Sequence, residues 1–197
     1  MIKENLLKLI ERYNHLGVEY VPETGATLIG RAPHIGSEAW LNSMYSTLSE
    51  CDVVAMEKSM ERKIPIQYRE FLLNCSNGLN IMNTTLCLFG QRKIVGRNIT
   101  ASRQPFDLVT LNTYKSERPK NATPDLFFFG GYDWDGSQVY LTNDGKVHFC
   151  HPNDCTSLKN WDSLDDFLTS EILRIYKLFD DNGVELDENV PTLPVNV

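Results

Sequence analysis

The sequence predicts an α+β domain with N-terminal helices, a mainly antiparallel central sheet and a closing C-terminal helix. Apolar residues recur at helical spacing near the N-terminus and again after Ser163. Between these segments the period changes to that of strands, and residues 137–150 predict a β-hairpin. Helices, a strand-rich middle and a final helix, in that order, are typical of α+β layer folds.

The first predicted helix covers residues 1–17. Leu6, Ile10 and Tyr13 recur at steps of three or four residues, and Gly17 suits the end of a helix. Residues 18–36 are rich in Gly and Pro, so they predict a loop, with a short strand as the alternative.

Three more helices are predicted before the strands begin. Ser37 is a candidate N-cap, because an apolar stripe at helical spacing follows over residues 40–48. Asp52 is a candidate cap for a second, short helix. Pro65 suits the first turn of the third helix, and the Asn-Gly pair at 77–78 suits its end.

The middle of the chain carries the strand signals. Residues 85–90 (TLCLFG) are a strand candidate, and residues 126–130 (LFFFG) predict a strand buried on both faces. Residues 137–142 alternate in polarity, the Asn-Asp-Gly sequence at 143–145 predicts a turn, and residues 146–150 form the return strand.

The closing helix begins at Ser163, which with Asp166 resembles a capping box, and an apolar stripe follows over residues 164–179. The residues after it are acidic and contain two prolines, which predicts a flexible tail. The predicted organisation is a helical extension packed on the domain over 1–50, the α+β domain over 51–181 and the tail over 182–197.

The charge of the chain is unevenly distributed. The net charge is −7, which argues against a general nucleic-acid-binding protein. Residues 91–120 nevertheless carry a net charge of +5, and no element is assigned to the surrounding segment 91–124. Residues 162–197 carry a net charge of −7. An acidic surface of this kind either steers a basic partner or keeps the protein soluble.

The sequence predicts a cytoplasmic protein. No apolar run approaches the ~20 residues that cross a bilayer, and charges interrupt the N-terminal apolar residues, so we expect no secretion signal. Five cysteines, without a CxxC pair, are typical of reduced thiols in a core rather than of a disulfide framework.

One segment gathers candidate metal ligands. His148, Cys150, His151, Asp154 and Cys155 lie close together in the sequence, and His148 and Cys150 alternate along a predicted strand. A zinc site usually combines two well-spaced pairs of ligands, which this segment does not provide. Packing within the strand and polarity within the turn explain the same residues, so we predict no metal and no cofactor.

Two other chemistries have partial signals in the sequence. Cys150 or Cys75 could act as a nucleophile beside a histidine, yet no nucleophile elbow or oxyanion sequence accompanies them. The DWDGS turn at 133–137 resembles a calcium loop, but its glycine falls immediately after the second Asp rather than at the sixth position of an EF-hand loop. The sequence therefore predicts a protein that is not an enzyme.

Three patterns, in this order, resemble the SUKH superfamily. The first is I-P-x-x-Y-x-x-F-L with a following N-G, over residues 64–78. The second is the strand–turn–strand unit FFFGGYDWDGSQVYLTNDGKVHF, residues 127–149, and the third is W-x-S-L-x-x-F-L, residues 161–168. Together they cover residues from about 50 to about 180. The superfamily includes bacterial toxin-immunity proteins and a yeast regulator of cell-wall synthesis.

This resemblance implies a non-enzymatic protein that neutralises a toxin, often a nuclease with a basic face, by direct binding. A regulatory or scaffold module is the first alternative, and a metal- or thiol-dependent enzyme using residues 148–155 is the second. The candidate partner-binding residues combine an exposed turn with an acidic helix start. They are Asp133, Trp134, Asp135, Asp162, Asp165 and Asp166.

Overall fold

The computed structural model describes residues 2–96 and 98–195, and within them the chain forms six α-helices and nine β-strands. The predicted α+β class is therefore confirmed. The helices are α1 (Ile2–Ile10), α2 (Glu50–Met60), α3 (Ile66–Asn74), α4 (Ile99–Ser102), α5 (Leu108–Thr113) and α6 (Leu164–Tyr176). The strands are β1 (Val18–Val21), β2 (Ala26–Arg31), β3 (Trp40–Tyr45), β4 (Leu79–Ile81), β5 (Leu86–Leu88), β6 (Phe127–Tyr132), β7 (Gln138–Leu141), β8 (Val147–His151) and β9 (Asp154–Trp161). Glu11–Leu16 and Lys115–Glu117 form short 3-10 helices.

All nine strands form one sheet in sequence order, and each pairs antiparallel with the next. The predicted hairpin is present as β7 and β8, with Gln138 opposite Cys150 and Leu141 opposite Val147. Its turn contains Gly145 at φ +84°, a left-handed conformation that glycine adopts without a steric cost.

The predictions for residues 18–48 are wrong in secondary structure. β1 and β2 occupy much of the predicted loop, so the alternative of a short strand is closer to the structure, and β3 replaces the predicted helix after Ser37. All six residues of β3 are buried, because the strand has neighbours on both faces of the sheet. A strand buried on both faces lacks the polar–apolar alternation that identifies a half-buried strand, so its apolar residues imitated a helical stripe.

The domain boundaries at 50–51 and 181–182 stay predictions. The sheet is continuous across the first of them, since Ser43 of β3 pairs with Asn80 of β4. Beyond the second, Leu186 N donates to Leu178 O (2.8 Å), and Thr192 and Leu193 are buried. The flexibility of the tail also stays a prediction. Hydrogen exchange of the tail amides would test it, because the contacts just described should slow that exchange.

The main core lies between one face of the sheet and helices that include α1, α3 and α6. Phe127 and Phe129 of β6 point into this core, whereas Phe128 packs with Leu111 and Tyr140 in a smaller cluster on the other face. The prediction that residues 126–130 form a strand buried on both faces is therefore confirmed. Within the described residues no helix is long and apolar enough to cross a membrane.

The start of α2 corrects one predicted cap. Ser49, not Asp52, is the N-cap, and its Oγ accepts a hydrogen bond from Asp52 N (3.2 Å). The Asp52 carboxylate in turn accepts from Ser49 N (3.0 Å), which completes a capping box. Lys93 Nζ lies 2.9 Å from the same carboxylate. Hydrogen bonds from Ser49, and then from Lys93, lower the pKa of Asp52 to about 2.

We expect Asp52→Ala to lower the free energy of unfolding by about 1 kcal/mol at neutral pH, because the capping box loses the carboxylate that accepts from Ser49 N and Lys93 loses its partner. Since the folded pKa of about 2 lies below the ordinary value of 3.8, this stabilisation is present above pH 3.8 and is lost as the pH falls towards 2. Urea unfolding of both proteins at several pH values measures the difference. If the difference in unfolding free energy between the two proteins stays constant down to pH 2, the lowered pKa of Asp52 does not contribute to stability. Glu70→Gln, an exposed change on α3, is the control.

Candidate partner-binding surface

The turn between β6 and β7 presents an aromatic side chain between two carboxylates. Thr84 Oγ1 donates to Asp133 Oδ2 (2.8 Å), and Ser137 N donates to Asp135 Oδ1 (2.8 Å). The first bond ties the Asp133 side chain to Thr84, the second fixes the backbone of the turn at Ser137, and Gly136 adopts φ +78°. Trp134 is 43% exposed, an unusual position for so large an apolar side chain. The turn thus holds a tryptophan towards solvent on a rigid base.

The acidic tail comes close to this turn. Glu185 forms an antiparallel bridge with Phe179, next to the backbone hydrogen bond of Leu186. Burial raises the pKa of Glu185, and the negative charges of Glu188, Asp133 and Asp187 raise it further. The tail therefore adds carboxylates to those of the turn. We call the following six residues the acidic surface: Asp133, Trp134, Asp135, Glu185, Asp187 and Glu188.

The structure does not bring the predicted contact residues at the start of α6 (Asp162, Asp165 and Asp166) close to those of the turn at 133–135. Asp162 and the start of α6 follow Trp161, which pairs with Val147 at the end of the sheet where β6 begins. Asp133 follows the opposite end of β6, a strand of six residues that spans about 17–20 Å. The two predicted groups therefore lie at opposite ends of the sheet.

The residues at the start of α6 partly serve the helix itself. Ser163 is the N-cap, as predicted, and its Oγ accepts from Asp166 N (3.1 Å). The Asp166 carboxylate accepts from Asp162 N (3.4 Å) rather than from Ser163 N, so the capping box is incomplete. Asp162 pairs with Lys146 (3.1 Å) and is highly exposed, and Asp165 is half-buried. Carboxylates in a first helical turn also interact favourably with the helix dipole.

The candidate metal ligands at 148–155 have other partners. The His148 ring stacks on Tyr140 (5.1 Å between centroids), and its Nδ1 lies 2.8 Å from Ser157 Oγ. Cys150 is fully buried in the cluster that contains Tyr140. Over residues 2–96 and 98–195, no group of three His, Cys, Asp or Glu side chains has an arrangement that could hold a metal ion.

The buried thiols are poor candidates for nucleophiles. Burial raises the pKa of Cys150 to about 12 and that of Cys75 to about 11. Both thiols are therefore protonated at neutral pH, whereas nucleophilic attack requires the thiolate. His148, which alternates with Cys150 along β8, is already engaged with Ser157 and Tyr140.

The comparison with protein families decides what kind of domain this is. The model of the SMI1 / KNR4 family (SUKH-1) matches residues 47–170, more than half of the chain. The chain belongs to the SMI1 / KNR4 family. The predicted SUKH resemblance is thereby confirmed. No curated protein matches the sequence.

The SMI1 / KNR4 match contains both groups of predicted contact residues but ends before the tail. Several of its motif residues form the scaffold of the domain. Pro65 precedes α3, and the Tyr68 hydroxyl donates to the main-chain oxygens of Phe89 and Phe129. The core aromatics of the motifs are therefore explained by packing and by buried hydrogen bonds.

Glu185, which lies close enough to Asp133 for their charges to interact, was not predicted as part of the site. The available signal was the acidic composition of the tail, which predicted flexibility instead. The approach of Glu185 to Asp133 depends on the path of the chain after α6, which no local pattern encodes.

Proposed function

We propose that this protein is a non-enzymatic binding protein that neutralises a toxin by direct contact, with the acidic surface as its main contact region. One observation supports the proposal most: an exposed tryptophan lies within a set of carboxylates that no described cation neutralises. The SUKH superfamily includes toxin-immunity proteins, which gives this surface a biological context.

The carboxylates of the acidic surface repel one another. The raised pKa of Glu185 reflects this repulsion together with burial. A basic partner would relieve the repulsion, so the surface favours a cationic ligand over a neutral one. Long-range attraction would also accelerate the encounter with such a partner. The basic substrate-binding face of a nuclease toxin has the required charge.

Trp134 and the tail would contribute the short-range part of the contact. Large aromatic side chains are favoured as interface anchors because they bury much apolar area. Leu186, 66% exposed and next to Glu185, offers a second apolar side chain. Charge would therefore determine the rate of capture, and these side chains would slow release.

Asp162, Asp165 and Asp166 remain a second candidate contact region in this proposal. Because they lie at the other end of the sheet, a partner would reach both regions only by extending along the strands. If substitution of these three residues weakens binding, the interface extends along the whole length of the sheet. If it does not, the interface is confined to the acidic surface.

A regulatory or scaffold module that binds a cellular protein is the second candidate function. The SUKH resemblance favours it as well, because the superfamily includes a yeast regulator of cell-wall synthesis. The two candidates differ in the partner and in the genetic neighbourhood. A toxin gene beside the gene for this chain supports immunity, and its absence supports regulation.

The first experiment is a pull-down from the protein's own cells with the full chain as bait, followed by mass spectrometry. We expect one stoichiometric partner with a basic, toxin-like domain. A pull-down that returns housekeeping proteins alone would contradict the immunity proposal.

The contact region is then tested by binding kinetics with the partner so identified. We expect the triple variant Asp133→Asn, Trp134→Ala, Asp135→Asn to slow association about tenfold or more, because it removes steering charge, and also to accelerate release. Asparagine retains the side-chain oxygens that accept from Thr84 and Ser137.

Two further triple variants complete this test. Glu185→Gln, Asp187→Asn, Glu188→Gln should weaken binding in the same way as the turn variant. The control Glu4→Gln, Glu23→Gln, Glu70→Gln removes three exposed carboxylates elsewhere and should bind like the wild type. Equal kinetics for the turn variant and this control would exclude the acidic surface as the contact region.

A further inference from the structure

A basic cleft lies between the end of α2 and the segment that follows α5. Its volume is about 790 Å³, within the ~300–1,000 Å³ typical of small-molecule sites. Its polar lining includes four cationic side chains and one carboxylate, Glu61. The four cations, which define the basic cleft, are Arg62, Lys115, Arg118 and Lys120. It shares no lining residue with the acidic surface.

These four cations lack ionic partners in the protein. None of them forms an ion pair with a side chain of residues 2–96 or 98–195. This is unexpected for a chain of net charge −7, in which carboxylates are abundant. The positive charge of the cleft is therefore available to a ligand.

Two residues that line the cleft carry buried polar atoms without a partner in the described part of the chain. Arg118 Nε is buried and donates to no acceptor, and Asn112 Oδ1 is buried and accepts from no donor among the described residues. Buried polar groups in proteins almost always have a hydrogen-bond partner, so an unpaired one needs an explanation. The described chain thus leaves Arg118 without a hydrogen-bond acceptor at Nε, beside a cleft that a ligand can enter.

Arg62 and Arg118 lie close enough for their positive charges to repel each other. Burial lowers the pKa of Arg62 first, and the charge of Arg118 lowers it further, while Asp125 acts in the opposite direction. Arg62 Nη1 donates to Leu126 O (3.1 Å), and its guanidinium lies over the Phe127 ring (5.1 Å to the centroid). These two contacts fix the position of the Arg62 guanidinium. Its N–H groups that do not bond to Leu126 O are available to a ligand. An anion between the two guanidinium groups would remove their repulsion.

We propose that the basic cleft binds a small organic molecule that carries phosphate groups. Guanidinium groups match the geometry of phosphate oxygens, and lysines add point charges to the same anion. Met60, Pro119 and Pro124 supply apolar walls for the organic part of the ligand. The concave shape favours a molecule of nucleotide size over an extended polymer. This activity would be separate from partner binding at the acidic surface.

The test is titration calorimetry of the full chain with three probes: inorganic pyrophosphate, ADP and adenosine. We expect pyrophosphate and ADP to bind, and to bind more weakly as the salt concentration rises. Adenosine, which lacks phosphate, should bind much more weakly than ADP. The absence of pyrophosphate and ADP binding at millimolar concentration would overturn the proposal.

The double variant Lys115→Gln, Lys120→Gln changes two exposed lysines of the cleft, so it should fold normally. We expect its affinity for pyrophosphate to fall about tenfold or more for each charge-assisted hydrogen bond that is lost. Lys8→Gln, Lys177→Gln removes the same charge from exposed positions outside the cleft and should bind like the wild type. Equal affinity in the two double variants would place the phosphate elsewhere.

A fourth probe separates the proposed ligand from a nucleic acid. A single-stranded oligonucleotide that binds when ADP and pyrophosphate do not would overturn the small-molecule assignment. Arg118→Gln provides a further check, because it removes one of the four cations of the cleft and should also weaken pyrophosphate binding.

Discussion

Glu171→Gln is expected to lower the free energy of unfolding by about 3 kcal/mol, because it leaves two cations beside a buried position without their carboxylate. The Glu171 side chain is 1% exposed and is paired with Lys159 (3.1 Å) and Arg174 (2.8 Å). Its Oε2 also accepts from the hydroxyl of Tyr132 (3.0 Å), which is itself buried. Glutamine keeps the shape of the side chain and removes only the charge.

The same network anchors the tail. Arg174 donates to Thr192 O (2.6 Å), and Lys159 donates to Pro194 O (3.5 Å). We therefore expect Glu171→Gln to loosen the tail and to displace the carboxylates near Asp133. Faster hydrogen exchange at the tail amides would report this loosening.

Chemical unfolding of Glu171→Gln beside Glu70→Gln measures the effect on stability. Glu70 is exposed on α3, so its substitution should change the free energy of unfolding by less than about 0.5 kcal/mol. A Glu171→Gln protein as stable as this control would show that the buried carboxylate is dispensable.

Phe129→Ala is expected to cost about 3–5 kcal/mol, the range for removing a large side chain from a packed core. Phe129 is fully buried, with its ring centroid 4.9 Å from that of Tyr68 and 5.9 Å from that of Phe167. These three rings join β6 to α3 and α6. The substitution would leave a cavity where all three elements meet.

Thermal and urea unfolding measure this loss. If Phe129→Ala does not fold, Phe129→Leu gives a smaller loss that is still measurable, since it retains most of the apolar volume. Tyr20→Ala, on the exposed face of the edge strand β1, should have little effect. A cost for Phe129→Ala no larger than that for Tyr20→Ala would contradict the packing role of the motif.

Parts of the fold could be predicted because their signals are local. The β7–β8 hairpin has a turn sequence between two strand sequences, and α6 has an N-cap before an apolar stripe. β6 was predicted from a short apolar run. In each case neighbouring residues determine the structure, so the sequence shows it directly.

The candidate site was predicted only in part. Asp133, Trp134 and Asp135 could be selected because they lie in a turn between two predicted strands. Their separation from Asp162, Asp165 and Asp166 could not be predicted, because it depends on strand register and direction. The basic segment was visible as a charge excess, but its cleft requires Arg62 from the distant end of α2.

By itself, the sequence determined the α+β class, the hairpin, the closing helix and the family resemblance. Tertiary structure decided that residues 40–45 form a buried strand, that Glu185 lies near Asp133 and that Glu171 receives two cations. The physical reason is the range of the interactions. Caps, turns and periodicity act over a few residues, whereas burial on both faces, charge clusters and clefts depend on segments that meet only in the folded chain.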